Sequence, residues 1–267
     1  MQYLNPVPAK YATGEYYDKE AASYYLSPAK LESDYSPVRF QRELRLFRNY
    51  CQGGDVLDVG CGSGAFLYQL NTRFPGAYRV LGTDASGPPL DYAESKGVAV
   101  LRGEFIYQGF GERRFDAVTL WAVAEHLLEP ALFLEKIDTL LRPGGHCFVL
   151  VPNMKSLAVR ILGARYRYIY PQHLNYFTAR TLRELGGRCF APIEIRYTHL
   201  NPIVIWQDWR SRGADVSNAE RGELLKRTTA YKQRPGMGPV RLMYRMAEGF
   251  LAFLGMTDNV AIVMRKK

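Results

Sequence analysis

Apolar residues in this chain gather in short runs, and polar stretches rich in glycine and proline separate them. Seven runs read as strands: residues 55–59, 78–83, 98–101, 114–121, 146–151, 192–197 and 259–265. Runs of this kind, bounded by turn signals, suit the centre of a sheet covered on both sides. Helical spacing fills the intervals. Phe40, Leu44 and Phe47 fall on one face of an amphipathic helix over 39–50, and residues 65–70 begin another directly after the first strand. Residues 219–231 and 240–254 give two later helices, with Leu242, Met243, Met246, Phe250, Phe253 and Leu254 forming an apolar face on the second. Strands alternating with helices predict an α/β fold with a parallel sheet, helices on both faces, and ligands bound beyond the carboxyl ends of the strands.

Four parts follow from this pattern. Residues 1–38 form a tyrosine-rich cover (Tyr3, Tyr11, Tyr16, Tyr17, Tyr24, Tyr25 and Tyr35) that prolines and asparagine keep from being one long helix. Residues 39–200 are the sheet-forming core, 201–258 a helical insertion or substrate cap, and 259–267 the final strand.

The junction of the first strand and its helix carries the strongest chemical signal. Asp58 and Val59 lead into Gly60-Cys61-Gly62-Ser63-Gly64. Alternating glycines allow positive φ and let a ligand approach the main chain, and the helix that follows presents its amide end to that ligand. Gly60, Gly62 and Ala65 also fit the dinucleotide fingerprint G-x-G-x-x-G/A. Asp58 argues for the other cofactor class, because an acid beside the glycines opposes a pyrophosphate and suits a cationic ligand. Asp84 closes the second strand, where a carboxylate can take both hydroxyls of a ribose; capping the next helix is its alternative role.

The segment Val56-Leu57-Asp58-Val59-Gly60-Cys61-Gly62-Ser63-Gly64, with Asp84 after it, resembles the motif of class I S-adenosylmethionine-dependent methyltransferases. Further matches follow in order. Arg114-Phe115-Asp116-Ala117-Val118-Thr119-Leu120-Trp121 resembles the fourth strand, Ala124-Glu125-His126-Leu127-Leu128-Glu129-Pro130 the segment after it, and Leu141-Arg142-Pro143-Gly144-Gly145 the turn before the fifth. Pro171-Gln172-His173-Leu174-Asn175-Tyr176-Phe177-Thr178 is similar to a segment of the subgroup related to ubiquinone-biosynthesis O-methyltransferases. The resemblance spans roughly residues 40–200. It implies a Rossmann-like sheet of seven strands, mostly parallel with the last antiparallel, and S-adenosylmethionine as cofactor. It also implies that Asp58, Gly60, Cys61, Gly62 and Gly64 meet the methionine part, and that Asp84 binds the ribose. Ala85, Glu104 and the Phe105 amide then surround the adenine, and Trp121 walls the methyl region. An exposed loop charge is the alternative for Glu104.

Composition narrows the partners. No uncharged apolar run reaches the ~20 residues of a membrane-spanning helix, and the first residues lack a secretory signal pattern, so a cytoplasmic enzyme is expected. Cys51, Cys61, Cys147 and Cys189 have no metal-type spacing and read as reduced thiols. The net charge of +9 is uneven: Lys155, Arg160, Arg165, Arg167, Arg180, Arg183 and Arg188 crowd a stretch in which Glu184 is the only acid. Such a field favours an anionic small-molecule acceptor or a soluble basic surface. Nucleic acid is disfavoured, since no binding module flanks the core and Trp121-Ala122-Val123-Ala124 is not the base-holding N-P-P-[YF] type. The apolar face at 242–254 suits core packing or a homodimer, with peripheral membrane contact as the sharper alternative.

A hydroxyl acceptor needs a base, and histidine suits that role near neutral pH. His173 is the first candidate and His126 the second; His146 starts a core strand and His199 follows the sixth. Loop anchoring is the plainer use of either candidate. Some related O-methyltransferases use a Glu-x-x-Glu-His metal cluster after the fourth strand. Here Ala122 stands in the first glutamate's place, so no metal is expected. The implied function is methyl transfer to a hydroxyl of a small-molecule, saccharide or lipid-linked acceptor. N- or C-methylation of a natural product, and a non-catalytic cofactor-binding partner, are the alternatives.

Overall fold

The computed structural model describes residues 2–3, 17–19, 24–169, 172–211, 220, 223–224, 226 and 238–267. Seven strands form one sheet: β1 (Gly54–Val59), β2 (Tyr78–Asp84), β3 (Val100–Arg102), β4 (Phe115–Trp121), β5 (Leu141–Pro152), β6 (Phe190–Thr198) and β7 (Asn259–Lys266). Their order is β3-β2-β1-β4-β5-β7-β6. The first five run parallel, and β7 lies antiparallel between β5 and β6. The order reverses beside β1, where β2 lies on one side and β4 on the other. A crevice opens beyond the strand ends at such a switch point.

The strands read as apolar runs because both faces are covered. Val56, Ala117, Phe148, Leu150, Ala261 and Val263 face one way. They pack on α2 (Gln41–Arg48), α3 (Ala65–Arg73) and α4 (Gly87–Ser95) through Leu44, Phe47, Phe66, Leu70 and Ala93. Their chain neighbours Leu57, Val118, Val149, Val151, Ile262 and Met264 face the other way. These meet Leu134 and Ile137 of α5 (Pro130–Leu140) and Leu182 of α7 (Ala179–Gly186). Alternation with period two therefore supplies two cores from one set of strands. Each fully buried Leu or Phe contributes about 1.5–3 kcal/mol.

Four sequence expectations change. The glycine-proline stretch at 141–145 is not a turn before β5 but its irregular first part. Phe115 pairs with Leu141 and Ala117 with His146, so the extra residues are absorbed as a bulge, with Gly144 at φ 76°. The outlying strand β3 is shorter than expected and begins at Val100, not Val98. The apolar face of the last helix, α9 (Gly238–Phe253), does not pack into the core; Leu242, Met243, Met246, Phe250 and Phe253 are exposed. Nor do all the clustered cations make one free field. Arg167 is ion-paired to the buried Asp208, and Arg180 bonds Glu184. Most of the expected helix at 219–231 lies outside the described residues, as do Tyr11, Tyr16, Tyr170 and Pro171.

The N-terminal region lies against the core at several points. Gln2–Tyr3 pairs antiparallel with Asn175–Tyr176. A short helix, α1 (Pro28–Asp34), leads to Tyr35, whose hydroxyl donates to the Ser63 carbonyl at 2.5 Å. Gln69 of α3 donates to the carbonyls of Asp34 at 3.1 Å and Ser36 at 2.9 Å.

Candidate active site

A cleft of about 540 Å³ opens beyond the carboxyl ends of β1, β2 and β4. The glycine turn forms its floor. The Gly60 and Cys61 amides both donate to the Thr83 carbonyl of β2, at 2.7 and 3.0 Å. Gly60, Gly62 and Gly64 have φ of 72°, 53° and 75°. A Cβ on Gly60 would stand 2.6 Å from Val123, whereas one on Gly62 would meet nothing within 4 Å. Gly60 thus permits close packing, and Gly62 leaves an open main-chain surface. Gly64 does not line the cleft; a Cβ there would stand 2.7 Å from Ala93 of α4, so it seats one helix on another. The N-terminus of α3 carries no side-chain cap, which leaves its amides for a ligand.

The other candidate cofactor and catalytic residues all line this cleft: Asp58, Gly60, Cys61, Gly62, Asp84, Ala85, Glu104, Phe105, Trp121, His126 and His173. Asp84 is held by main chain, accepting from the Gly62 amide at 2.8 Å and the Ser86 amide at 3.0 Å. It is not the side-chain cap of α4; Asp18 takes that place, accepting from the Gly87 amide at 3.0 Å and the Ser86 hydroxyl at 2.8 Å. Asp58 accepts from the Thr119 hydroxyl at 2.5 Å. Burial first, with the Asp84 charge adding to it, lifts Asp58 to about 7, and burial raises Asp84 too. Both acids therefore sit in a place that a cationic ligand would relieve.

Glu104 is exposed at the mouth, ahead of a 3₁₀ turn at Phe105–Tyr107. Lys136 of α5 fixes this turn. Its ammonium donates to the carbonyls of Phe105, Ile106 and Gln108 at 2.6, 2.9 and 2.7 Å, and it lies over the rings of Phe105 and Phe110. Trp121 closes β4, edge-on to Phe66 at 5.3 Å, and its buried Nε1 meets no acceptor among the described residues.

On the opposite wall, segments far apart in the chain meet. His126 and His173 lie 4.7 Å apart ring to ring. His126 Nδ1 faces the Gln172 carbonyl at 2.9 Å, and His173 Nδ1 faces the Tyr168 carbonyl at 2.8 Å. A carbonyl only accepts, so each Nδ1 carries a proton; His126, whose ring is held neutral by burial, keeps the lone pair on Nε2. Glu125 joins them, and one ligating-type atom from each of the three residues falls within 4.8 Å of the others. Burial lifts Glu125 to about 8 and lowers His126 to about 4, so both are neutral at pH 7. Glu125 Oε2 is buried without a partner. The donor set and the orphaned oxygen fit a divalent cation at three positions, while Ala122 offers none at the fourth. Bound there, a cation would supply Lewis acidity to an acceptor oxygen.

Several cleft residues escaped the sequence reading. Lys30, Asp34, Arg39, Glu43, Tyr168 and His199 all line it. Asp34 pairs with both Lys30 and Arg39. The terminal nitrogens of Arg39 make no hydrogen bond with the described residues, so the guanidinium keeps donors to offer. Glu43 accepts from His199 Nε2 at 2.8 Å. Burial works to raise Glu43, but His199 and Arg39 outweigh it and hold the acid near 2. His199 (φ 63°) and Ala122 (φ 59°) are the non-glycine residues with positive φ among those described, and both line the cleft. Such strain concentrates at functional sites.

This fold is shared with known proteins. The methyltransferase-domain family matches residues 37–188, more than half of the chain. The ubiquinone biosynthesis O-methyltransferase of Acinetobacter baumannii (strain AYE) is 31% identical over 173 residues, covering 54% of this chain and 71% of the relative. That of Acinetobacter baylyi is 36% identical over 190 residues, covering 62% and 74%. Among solved structures, a SAM-dependent methyltransferase from Archaeoglobus fulgidus shares the fold with a TM-score of 0.57 at 19% identity, covering 94% of this chain and 99% of that one. The N-methyltransferase NodS of Bradyrhizobium japonicum WM9, in complex with S-adenosylhomocysteine, gives 0.54 at 13% identity, covering 93% and 97%. The chain belongs to the methyltransferase-domain family. It is a class I S-adenosylmethionine-dependent methyltransferase resembling the ubiquinone-biosynthesis O-methyltransferases.

Proposed function

We propose that this enzyme methylates a hydroxyl group on a small-molecule or lipid-linked acceptor, and that His173 takes the hydroxyl proton. The observation that carries the reading is the His126–His173–Glu125 cluster lining the cleft, in which the Tyr168 carbonyl fixes the His173 ring through Nδ1. An amine acceptor needs no such base. The O-methyltransferase relatives support the same choice.

The residues present fit the cofactor. Gly62 gives an open main-chain surface, the α3 amides are uncapped, and Asp84 presents a carboxylate fixed by two amides. In this reading Asp58 and the glycine turn hold the methionine part, and Arg39, which lines the same cleft, balances its carboxylate. Asp84 takes the ribose hydroxyls. Ala85, Glu104 and Phe105 border the adenine, and Lys136 keeps that border in place. Trp121 walls the methyl region. Bound S-adenosylmethionine supplies a sulfonium methyl that is already electrophilic. What the chain adds is alignment of the acceptor oxygen, exclusion of water, and a place for its proton. Tyr17, Tyr24 and Tyr25, which line the cleft, serve as its cover.

Turnover of methyl-labelled cofactor with hydroxyl, amine and thiol acceptors tests the reading. Label found in a product ether supports it, and label found only on nitrogen or carbon rejects it. Assays with and without chelator separate base catalysis by the bare cluster from metal assistance.

A further inference from the structure

The helices α8 (Pro202–Ser211) and α9 are built inside out. Their acids point inward: Asp208 is buried against Arg167, and Glu248 is buried against Arg42 of α2. Tyr244 also turns in and donates to the Leu200 carbonyl. The large apolar side chains point out. Trp206 and Trp209 (61% exposed) stand on α8, and Met243, Met246, Phe250 and Phe253 (86% exposed) on α9. Isolated exposed apolar residues are ordinary, but a run of them on one helix face marks a contact surface. The exposed charges of these helices are cationic. Arg245 is exposed on α9, and Arg210 on α8 lies over the Trp206 ring at 5.3 Å. Among the described residues neither helix shows an exposed acid.

We propose that α8 and α9 dock this enzyme on an anionic lipid bilayer, lying in the plane of its surface. Tryptophan, phenylalanine and methionine suit the boundary between headgroups and acyl chains, and the arginines suit lipid phosphates. No helix among the described residues is long and apolar enough to cross a membrane, so contact is peripheral. A second copy of the chain fits less well. A self-complementary contact would bring the arginines of both copies together, with no exposed acid on either helix to pair them. The inner side of α9 lies near the cleft: Tyr244 donates to the carbonyl of Leu200, next to the cleft residue His199. The docking itself does not depend on which acceptor is methylated.

The test is flotation of the full chain with vesicles of phosphatidylcholine alone and of phosphatidylcholine mixed with phosphatidylglycerol. Wild type should bind the anionic vesicles about tenfold or more tightly than the neutral ones, and added salt should narrow the gap. The pair Phe250→Glu and Phe253→Glu should lower binding to anionic vesicles about tenfold or more. The pair Arg210→Glu and Arg245→Glu should remove the preference for anionic lipid. These side chains face outward, so melting temperature and cofactor affinity should stay unchanged in both. Equal binding to both vesicles, binding to neither, or phenylalanine variants that float like wild type would each overturn the proposal. A wild-type dimer that ignores vesicles, and that the phenylalanine pair dissociates, would assign the surface to a second copy instead.

Discussion

Near the glycine turn the cleft is surfaced by main chain: the Gly60–Gly64 loop, the start of α3 and amides that hold Asp84. Near His173 it is surfaced by side chains that four separated segments deliver, from α1–α2, from 125–126, from Tyr168 and His173, and from His199. The first region needs one strand–turn–helix unit to form. The second exists only when the whole sheet has assembled. Local geometry suits a ligand that every member of a fold class shares, and side chains from several loops can vary independently to suit different acceptors.

The two regions should therefore fail separately. The largest effect is expected from His173→Ala, which should lower kcat by about 10²–10⁴-fold while cofactor affinity barely changes. Single-turnover methyl transfer across pH, beside calorimetric titration of the cofactor, tests this. Equal rates and equal pH profiles would leave His173 as a loop anchor. Asp84→Ala should do the reverse. Losing charge-assisted bonds of roughly 1.5–3 kcal/mol each, partly replaced by water, should weaken cofactor binding by about tenfold or more in a folded protein. Unchanged affinity would remove Asp84 from the site.

A smaller, graded effect should come from Asp58. Its folded value of about 7 lies above its ordinary value of 3.8, so the empty protein holds a proton that the unfolded chain has lost. Stability from this group is full below about 4 and fades as pH rises towards 7. A cationic cofactor favours the ionised form, so affinity should rise with pH up to about 7, by at most about tenfold per unit. Proton release on binding, read by calorimetry in buffers of different ionisation enthalpy, checks this; pH-independent binding would separate Asp58 from the cofactor's positive charge. The smallest effect concerns Glu43, held near 2. Its contribution is present above its ordinary value of 4.5 and is lost as pH falls towards 2. Glu43→Gln should flatten the melting temperature over that acid range, by a few degrees at most. An unaltered acid limb would show that the His199 pair contributes nothing to stability.

The same contrast decides what could be read from sequence. The β1 turn was legible because glycines needing positive φ and an acid at a strand end are local signals. Arg39, Lys30 and Glu43 were not, because a charge on or beside an amphipathic helix looks like a solvated face. Long-range bonds bring that segment to the cleft: Gln69 to the carbonyls of Asp34 and Ser36, Tyr35 to the Ser63 carbonyl, and His199 to Glu43. Lys136 reads as an ordinary helix lysine, and nothing nearby in sequence foretells three carbonyls gathered about it. Glu125 had a signal, its place beside His126 as the second half of a Glu-x-x-Glu-His cluster, but Ala122 in the first glutamate's place argued against a site role. The outward face of α9 shows a further limit. Helical spacing tells which residues share a face, but the inward side was set by Tyr244 and Glu248, whose partners lie in distant segments.

The place of β7 has a consequence in time. This strand comes after both of its neighbours in the chain, yet it stands between them. Within the sheet β6 bonds only to β7. Until residues 259–266 arrive, β5 presents an unpaired apolar edge and β6 has no ladder to join. A chain emerging residue by residue can close its cofactor half early, around β1 and β4, but must wait for its last strand to seat His199. The part of the cleft wall that His199 forms is thus completed only after residues 258–266 have joined the sheet.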